Sequence, residues 1–179
     1  MKCKIVVIVF CAFAGLAFKS QDIYRLVYPN HFPAPVYKMT SNPLSEEKIE
    51  LGRMLFYDPM LSKDNSISCA SCHSSYNAFA HTDHDLSHGI YDSIGTRNAP
   101  ALFNLGWQKS FMWDGAINHL DMQALAPLSH PGEMGETIEN VVKKLGETKH
   151  YRTAFYKAWN DSTITGEHFL KSITQFQLT

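Results

Sequence analysis

Two thiols and an imidazole stand within the five-residue string CASCH, at Cys69, Cys72 and His73. Thiols can add across the vinyl groups of a porphyrin, and the adjacent imidazole can ligate its iron. The string therefore predicts a covalent haem c, with His73 as the proximal ligand. Two alternatives use the same side chains: a redox-active dithiol, which would be expected in a βαβ frame, and a zinc site, which needs a fourth ligand.

The segment after this motif decides between an electron carrier and an enzyme. A carrier closes the second axial position of the iron with a side chain, often methionine, whereas a peroxidase keeps that face open beside proton-transfer groups. Trp113, Gln123 and Glu133 follow the motif at intervals of ten residues. The methionines that would close the iron of a carrier are Met112, Met122 and Met134.

Composition excludes several other classes. The 179 residues are 45% hydrophobic and 18% charged, with a net charge of -1. This predicts one globular domain with a core and argues against a disordered tail or a nucleic-acid-binding protein.

The N-terminus has the layout of a secretory signal peptide. Lys2 and Lys4 precede the apolar stretch 5–18. This stretch is too short to cross a bilayer, which takes a helix of roughly 20 apolar residues. We predict a signal peptide at 1–20 and export to the periplasm. Cys3 and Cys11 fall in this segment, so the mature chain would keep one cysteine pair.

The rest of the chain divides into a leader and a helical domain. Several prolines predict an extended leader at 21–41, and the domain should occupy 42–179. Its first helix should begin with Pro43 in the first turn and end near Tyr57. Residues 74–100 have no sustained periodicity and predict a long loop.

The spacing of apolar residues predicts three more helices. Because no alternating strand pattern occurs, the sequence predicts an all-α fold. One helix should end at Gly146, and another begin after Thr165 as its N-cap. The apolar residues that define the three helices are Ile138, Val141, Val142 and Leu145, then Tyr151, Phe155 and Trp159, then Phe169, Ile173 and Phe176. The last residues lack a helix-ending signal, as expected for a chain cut short.

Six motifs in order give the chain a family resemblance. They are LGRMLFYDPMLS at 51–62, CASCH, RNAPALFN at 97–104, FMWDG at 111–115, MQALAP at 122–127 and GEMGE at 132–136. Together they resemble the bacterial di-haem cytochrome c peroxidase and MauG-like family, in its N-terminal, peroxidatic haem domain. The resemblance implies a c-type cytochrome-like haem domain with long loops that ends before a second haem domain.

The resemblance also implies catalytic roles. Glu133 matches the distal acid/base of the family, and Gln123 matches its distal hydrogen-bonding partner. Trp113 matches a tryptophan that lies between the two haems. From spacing alone, each residue would be interpreted as an ordinary surface or packing residue.

Further metal-binding roles come from the loop after the motif. Among its histidines, His88 resembles a removable sixth iron ligand, with a solvated loop histidine as the alternative. Asn98 matches a position associated with calcium, for which an amide oxygen is a suitable ligand. Arg97 would pair with a haem propionate or form a surface ion pair.

The function that follows as an expectation is an exported haem peroxidase domain. It would reduce hydrogen peroxide to water with electrons from a small cytochrome c or copper protein, delivered through the second haem. The alternatives are a mono-haem electron carrier and a MauG-like enzyme that oxidises a protein substrate. A homodimer is a further expectation from the resemblance.

Overall fold

Helices joined by long loops make up the fold over residues 24–179, the part of the chain that the computed structural model describes. Its α-helices are α1 (Glu46–Tyr57), α2 (Cys69–Cys72), α3 (Leu120–Gln123), α4 (Leu125–Ser129), α5 (Ile138–Glu147), α6 (Lys149–Trp159) and α7 (Gly166–Gln177). Over residues 24–179 the extended backbone forms isolated bridges and no strand. The all-α prediction is confirmed. The predicted signal peptide at 1–20 and the first residues of the predicted leader lie outside the described range.

Helix α1 begins three residues later than the sequence predicted. Ser45 is its N-cap, and its Oγ accepts a hydrogen bond from the Lys48 backbone N–H at 3.3 Å. Pro43 stays outside the helix because its carbonyl accepts a hydrogen bond from the Gln175 side chain of α7 at 2.7 Å. The predicted end at Tyr57 is correct.

The main core forms where α1 crosses α7. A Cβ at Gly52 would lie 1.9 Å from the Ser172 carbonyl oxygen, so only glycine allows the two backbones this separation. Leu51 and Leu55 of α1 are buried there with Ile173 of α7. This crossing brings the aromatic side chains of α1 and α7 to the same side of the domain.

Helices α5, α6 and α7 bury the apolar faces that the sequence predicted. Tyr151, Phe155 and Phe169 are all in the core. The Thr165 Oγ1 caps α7 by accepting from the His168 backbone N–H at 3.1 Å, as predicted. The predicted stop at Gly146 is wrong by one residue, because α5 continues to Glu147.

The described part of the leader packs against a second hydrophobic cluster and fixes α3. The Tyr37 hydroxyl donates to the buried Asp121 carboxylate at 2.8 Å. Burial, with Asp121 adding to it, raises the pKa of Tyr37 well above its usual range. The phenol therefore remains protonated and a permanent donor, which holds α3 against the leader.

The stretch 74–100 is a long loop, as predicted, but an ordered one. Isolated bridges join Ser74 to Ala80 and His88 to Ile94 and close two short loops. No described helix is long and apolar enough to cross a membrane.

The helical core gives a direct stability prediction. Phe155→Ala should lower the free energy of unfolding by about 3–5 kcal/mol, because it leaves a cavity where the ring is 1% exposed. Denaturant unfolding followed by circular dichroism measures this change. Tyr156→Ala is the matched control: its ring is 56% exposed on the same helix, so the loss should be about 0.5 kcal/mol or less. Equal losses for the two variants would contradict this packing.

Candidate functional site

The CASCH motif forms one short helical turn, α2, that ends at His73. Ser68 and Ser71 cap its start reciprocally: the Ser68 backbone N–H donates to the Ser71 Oγ at 3.1 Å. The His73 backbone N–H closes the turn on the Cys69 carbonyl at 3.0 Å. The turn therefore presents both thiols and the imidazole from a fixed backbone.

The hydrogen bond of His73 determines which ring nitrogen is available. Its Nδ1 lies 2.7 Å from the Phe79 carbonyl oxygen. A carbonyl only accepts, so Nδ1 carries the proton and Nε2 is left bare, which is the form that binds a metal. Burial lowers the pKa of His73 and favours this neutral imidazole.

An unusual backbone supplies that carbonyl. Ala78 and Phe79 are both left-handed, with φ of 54° and 55°. Residues with a side chain rarely adopt this conformation, which costs on the order of 1 kcal/mol or more for each residue. The turn stores this strain where it brings the Phe79 carbonyl back onto the His73 ring.

The two thiols have the character of buried, neutral groups. Burial raises the pKa of Cys69 to about 12. Burial also raises the pKa of Cys72, and the negative charge of Glu133 adds to the effect. A redox-active dithiol has a lowered thiol pKa, so these directions argue against that alternative. Within residues 24–179 no group of three or more His, Cys, Asp or Glu side chains is placed to hold a metal ion, as a zinc site would require.

An apolar cavity of about 500 Å³ lies near the motif: none of its described lining residues belongs to CASCH, but Phe79, whose carbonyl is hydrogen-bonded to His73, is one of them. Phe56, Phe79 and Phe176 line one wall, with ring centroids 5.1–6.1 Å apart, and the Phe56 ring lies 6.5 Å from the His73 ring. The Gln177 Oε1 is buried at this cavity and has no hydrogen-bond partner among residues 24–179. Two thiols, a bare imidazole nitrogen and an aromatic cavity fit a covalently attached haem.

Glu133 comes to this site from the turn that follows α4. Its backbone N–H donates to the His130 carbonyl at 3.0 Å, and its carbonyl accepts from the Ile90 N–H at 2.8 Å. The carboxylate is 44% exposed and lies 3.7 Å from the His130 Nδ1. The Cys72 Sγ contacts the His88 carbonyl at 3.9 Å. The structure thus brings Cys72, the histidine-containing loop and the Glu133 segment together.

His88, like His73, has an acceptor for its Nδ1. The Asp92 carboxylate is hydrogen-bonded to that Nδ1, so Nε2 is the ring nitrogen outside this contact. Tyr91 and Asp92 are consecutive left-handed residues. The His88 ring packs on that of His84, with centroids 4.7 Å apart. Ligation of iron by His88 stays a prediction.

Gln123 is the last residue of α3. Its Nε2 donates to the Met112 Sδ at 3.8 Å, and its Oε1 accepts from the Gln177 Nε2 at 3.5 Å. Among the described residues no hydrogen bond joins Gln123 to Glu133. The structure therefore places Gln123 beside the cavity wall and Glu133 beside Cys72.

Trp113 and Asn98 form one surface contact. The Trp113 indole N–H donates to the Asn98 carbonyl at 2.7 Å, and the ring is 64% exposed. The Asn98 Nδ2 donates to the Asp85 carbonyl at 3.0 Å, which leaves Oδ1 available. Calcium takes six to eight oxygen ligands, so this single oxygen does not make a calcium site by itself.

Three other candidates from the sequence, Arg97, Met134 and Met122, have surroundings typical of surface or core residues. Arg97 pairs with Asp114 at 3.1 Å on the surface, the ion-pair alternative of the sequence analysis. Met134 is 4% exposed within the helical core, where it packs as an apolar side chain. Met122 is exposed.

Sequence reasoning missed the groups that orient the histidines. The acceptor of His73 is the Phe79 backbone carbonyl, and no side-chain pattern indicates it. Asp92 was detectable, since a carboxylate four residues after His88 is a typical partner for an imidazole.

Comparison with known proteins gives consistent matches. The family model for di-haem cytochrome c peroxidase matches residues 46–179. Methylamine utilization protein MauG of Methylorubrum extorquens is 32% identical over 167 residues, covering 89% of this chain and 45% of the relative. Cytochrome c551 peroxidase of Nitrosomonas europaea is 36% identical over 147 residues, covering 76% and 41%. The crystal structure of a MauG-like protein associated with microbial copper homeostasis superposes with a TM-score of 0.78 at 32% identity, covering 87% and 46%.

The helical fold and the CASCH turn define a domain of the c-type cytochrome class. The chain belongs to the di-haem cytochrome c peroxidase family, which includes the MauG proteins. It spans less than half the length of the relatives it matches.

The negative charge of Glu133 near Cys72 predicts a change in thiol chemistry. Glu133→Gln should lower the pKa of Cys72, because it removes a negative charge that disfavours the thiolate. The pH dependence of Cys72 alkylation in the haem-free chain, resolved by peptide mass spectrometry, measures it. Circular dichroism should first show that the variants retain their helix content.

Glu139→Gln is the matched control, since Glu139 is an exposed residue of α5. It should leave the alkylation profile unchanged. An identical profile in the parent and Glu133→Gln would show that Glu133 is not beside the thiol.

Proposed function

We propose that this chain is the peroxidatic haem domain of an exported c-type peroxidase that reduces hydrogen peroxide to water. The observation that carries the proposal is the position of Glu133, whose segment is held against the loop that contacts Cys72. A carboxylate beside a haem-attachment thiol is a group able to transfer protons near the iron. Family membership supports the same activity.

Cys69 and Cys72 would hold the porphyrin by two thioether bonds, and His73 would bind the iron through Nε2. Haem held there supplies an iron centre that binds peroxide and takes up the electrons needed to reduce it. The Phe79 carbonyl keeps the His73 ring in one orientation and one tautomer. The aromatic rings of Phe56, Phe79 and Phe176 would offer the porphyrin an apolar surface near His73.

Glu133 is the proposed proton carrier. Cleavage of the O–O bond needs a proton taken from one peroxide oxygen and delivered to the other, and a half-exposed carboxylate can exchange that proton with solvent. Gln123 would orient the peroxide through its amide, which does not compete for the proton. Its present partners, Met112 and Gln177, are weak or long contacts that it can exchange for a ligand.

Electrons would reach the site from a second haem and, before it, from a small cytochrome c or copper protein. Trp113 supports this route, because its exposed indole is anchored at the surface and is available to a neighbouring domain. His88 would close the iron before activation. Calcium at the Asn98 Oδ1, the periplasmic location and a homodimer belong to the same proposal.

Oxidation of a protein substrate is the second candidate function. Two of the relatives reported above are MauG or MauG-like proteins, each 32% identical to this chain. An exposed Trp113 would serve electron transfer from a protein substrate as well as from a second haem. Rapid turnover with a reduced small cytochrome favours the peroxidase. If this chain, once oxidised by peroxide, stays oxidised in the presence of that reduced cytochrome, the result favours the MauG-like activity.

The peroxidase proposal predicts a large effect of one substitution. Glu133→Gln should slow the reaction of the haem-loaded chain with hydrogen peroxide by about 10²–10⁴-fold, because the amide carries no exchangeable acid proton. Stopped-flow absorption in the haem bands measures the rate.

A control variant and two contrary outcomes complete this experiment. Glu139→Gln should react at the parent rate, since Glu139 lies on the exposed face of α5. A Glu133→Gln variant that reacts as fast as the parent would remove Glu133 from the mechanism. A low-spin iron indifferent to peroxide before and after reduction would favour the electron-carrier alternative.

A further inference from the structure

Gly89 lies directly against the backbone of the Glu133 segment. A Cβ at Gly89 would lie 2.1 Å from the Gly132 carbonyl oxygen and 2.6 Å from the Glu133 Cα. Both are main-chain atoms, which cannot rotate away as a side chain would. Any residue other than glycine at position 89 must therefore push the Glu133 backbone outward.

The conformation of Gly89 does not itself require glycine. Its φ is -99° and its ψ is -161°, an extended backbone that any residue adopts. The requirement comes from the contact alone. A substitution at this position thus tests the packing of two segments without adding backbone strain at the substituted residue.

Hydrogen bonds on each side hold the two segments in this contact. The Ile90 N–H donates to the Glu133 carbonyl at 2.8 Å, and the Gly89 N–H donates to the Ser93 carbonyl at 2.8 Å. One residue earlier, the His88 carbonyl meets the Cys72 Sγ. The loop is therefore held to the haem-attachment turn at His88 and to the Glu133 segment at Gly89 and Ile90.

We propose that Gly89 is a positioning residue that sets the distance of Glu133 from the haem-attachment turn. The loop segment 88–90 acts as a spacer of fixed thickness between Cys72 and Glu133. The inference rests on the proposed function, since it assigns a purpose to the position of Glu133. It also means that His88 and the Glu133 backbone cannot be displaced independently of each other.

The test compares Gly89→Ala with Gly95→Ala in the haem-loaded full chain. A Cβ at Gly95 would lie 3.2 Å from the Ser87 carbonyl oxygen, a contact that a small shift relieves, so this variant is the control in the same loop. Gly89→Ala should slow the reaction with peroxide by about 10²-fold, as displacement of a reacting group by an ångström can do. Gly95→Ala should react as the parent does.

Cyanide binding provides a readout other than activity. Cyanide enters as HCN and binds iron as the anion, so a nearby base must accept its proton. The pH profile of the association rate should change in the same way in Gly89→Ala and Glu133→Gln, and remain that of the parent in Gly95→Ala. A parent profile in Gly89→Ala would overturn the inference.

Hydrogen exchange keeps the inference testable if Gly89→Ala does not fold. In the parent, the Ile90 amide should exchange slowly, because it donates to the Glu133 carbonyl. Rapid exchange of that amide would overturn the inference without any variant.

The proposed function fails by a different result. If Glu133→Gln reacts with peroxide at the parent rate, Glu133 is not the proton carrier, whatever Gly89→Ala does. If Glu133→Gln is slow and Gly89→Ala is fast, the proposed function stands and the positioning role of Gly89 is wrong.

Discussion

The site depends on the hydrogen bond from the His73 Nδ1 to the Phe79 carbonyl. A buried imidazole has one donor and one acceptor, and a metal ligand must keep the acceptor free, so the donor needs a partner that only accepts. A backbone carbonyl is such a partner, but the chain must reverse within a few residues to supply it. Two consecutive left-handed residues make that reversal. His88 is served in the same way by the Asp92 carboxylate, again after left-handed backbone.

The helical core serves this arrangement by bringing two helices unusually close. Because Gly52 has no side chain, α1 lies directly on the Ser172 carbonyl of α7. That approach places Phe56 beside Phe176 and builds the aromatic wall from helices far apart in sequence. The packing of α1 on α7 therefore also builds part of the cavity lining, in which the Phe56 ring lies 6.5 Å from the His73 ring.

The sequence predicted those features that depend on local chemistry. CASCH marks a covalent attachment turn by residue type and spacing, and the apolar periods of α6 and α7 mark buried faces, because each signal is contained within a few turns. The start of α1 was misplaced because the partner that excludes Pro43 from the helix, Gln175, lies on α7. The acceptor of His73 is a main-chain oxygen, and the role of Gly89 depends on a segment more than forty residues downstream. Tertiary contacts decide the first and the third, and a local left-handed backbone that residue types do not indicate decides the second.

The two proposed catalytic side chains are held by different parts of the molecule. Glu133 is fixed through the loop that contacts the attachment turn, whereas Gln123 lies on α3, which the leader holds through Tyr37 and Asp121. The Tyr37 hydroxyl stays protonated because burial beside that carboxylate raises its pKa. Its hydrogen bond to Asp121 therefore persists as long as the domain is folded. An acid/base held through the segment 88–90 would follow any movement of that segment relative to the attachment turn. An orienting amide held from the leader side would not. The fold therefore supports the proposed acid/base and the proposed orienting amide through separate segments of the chain.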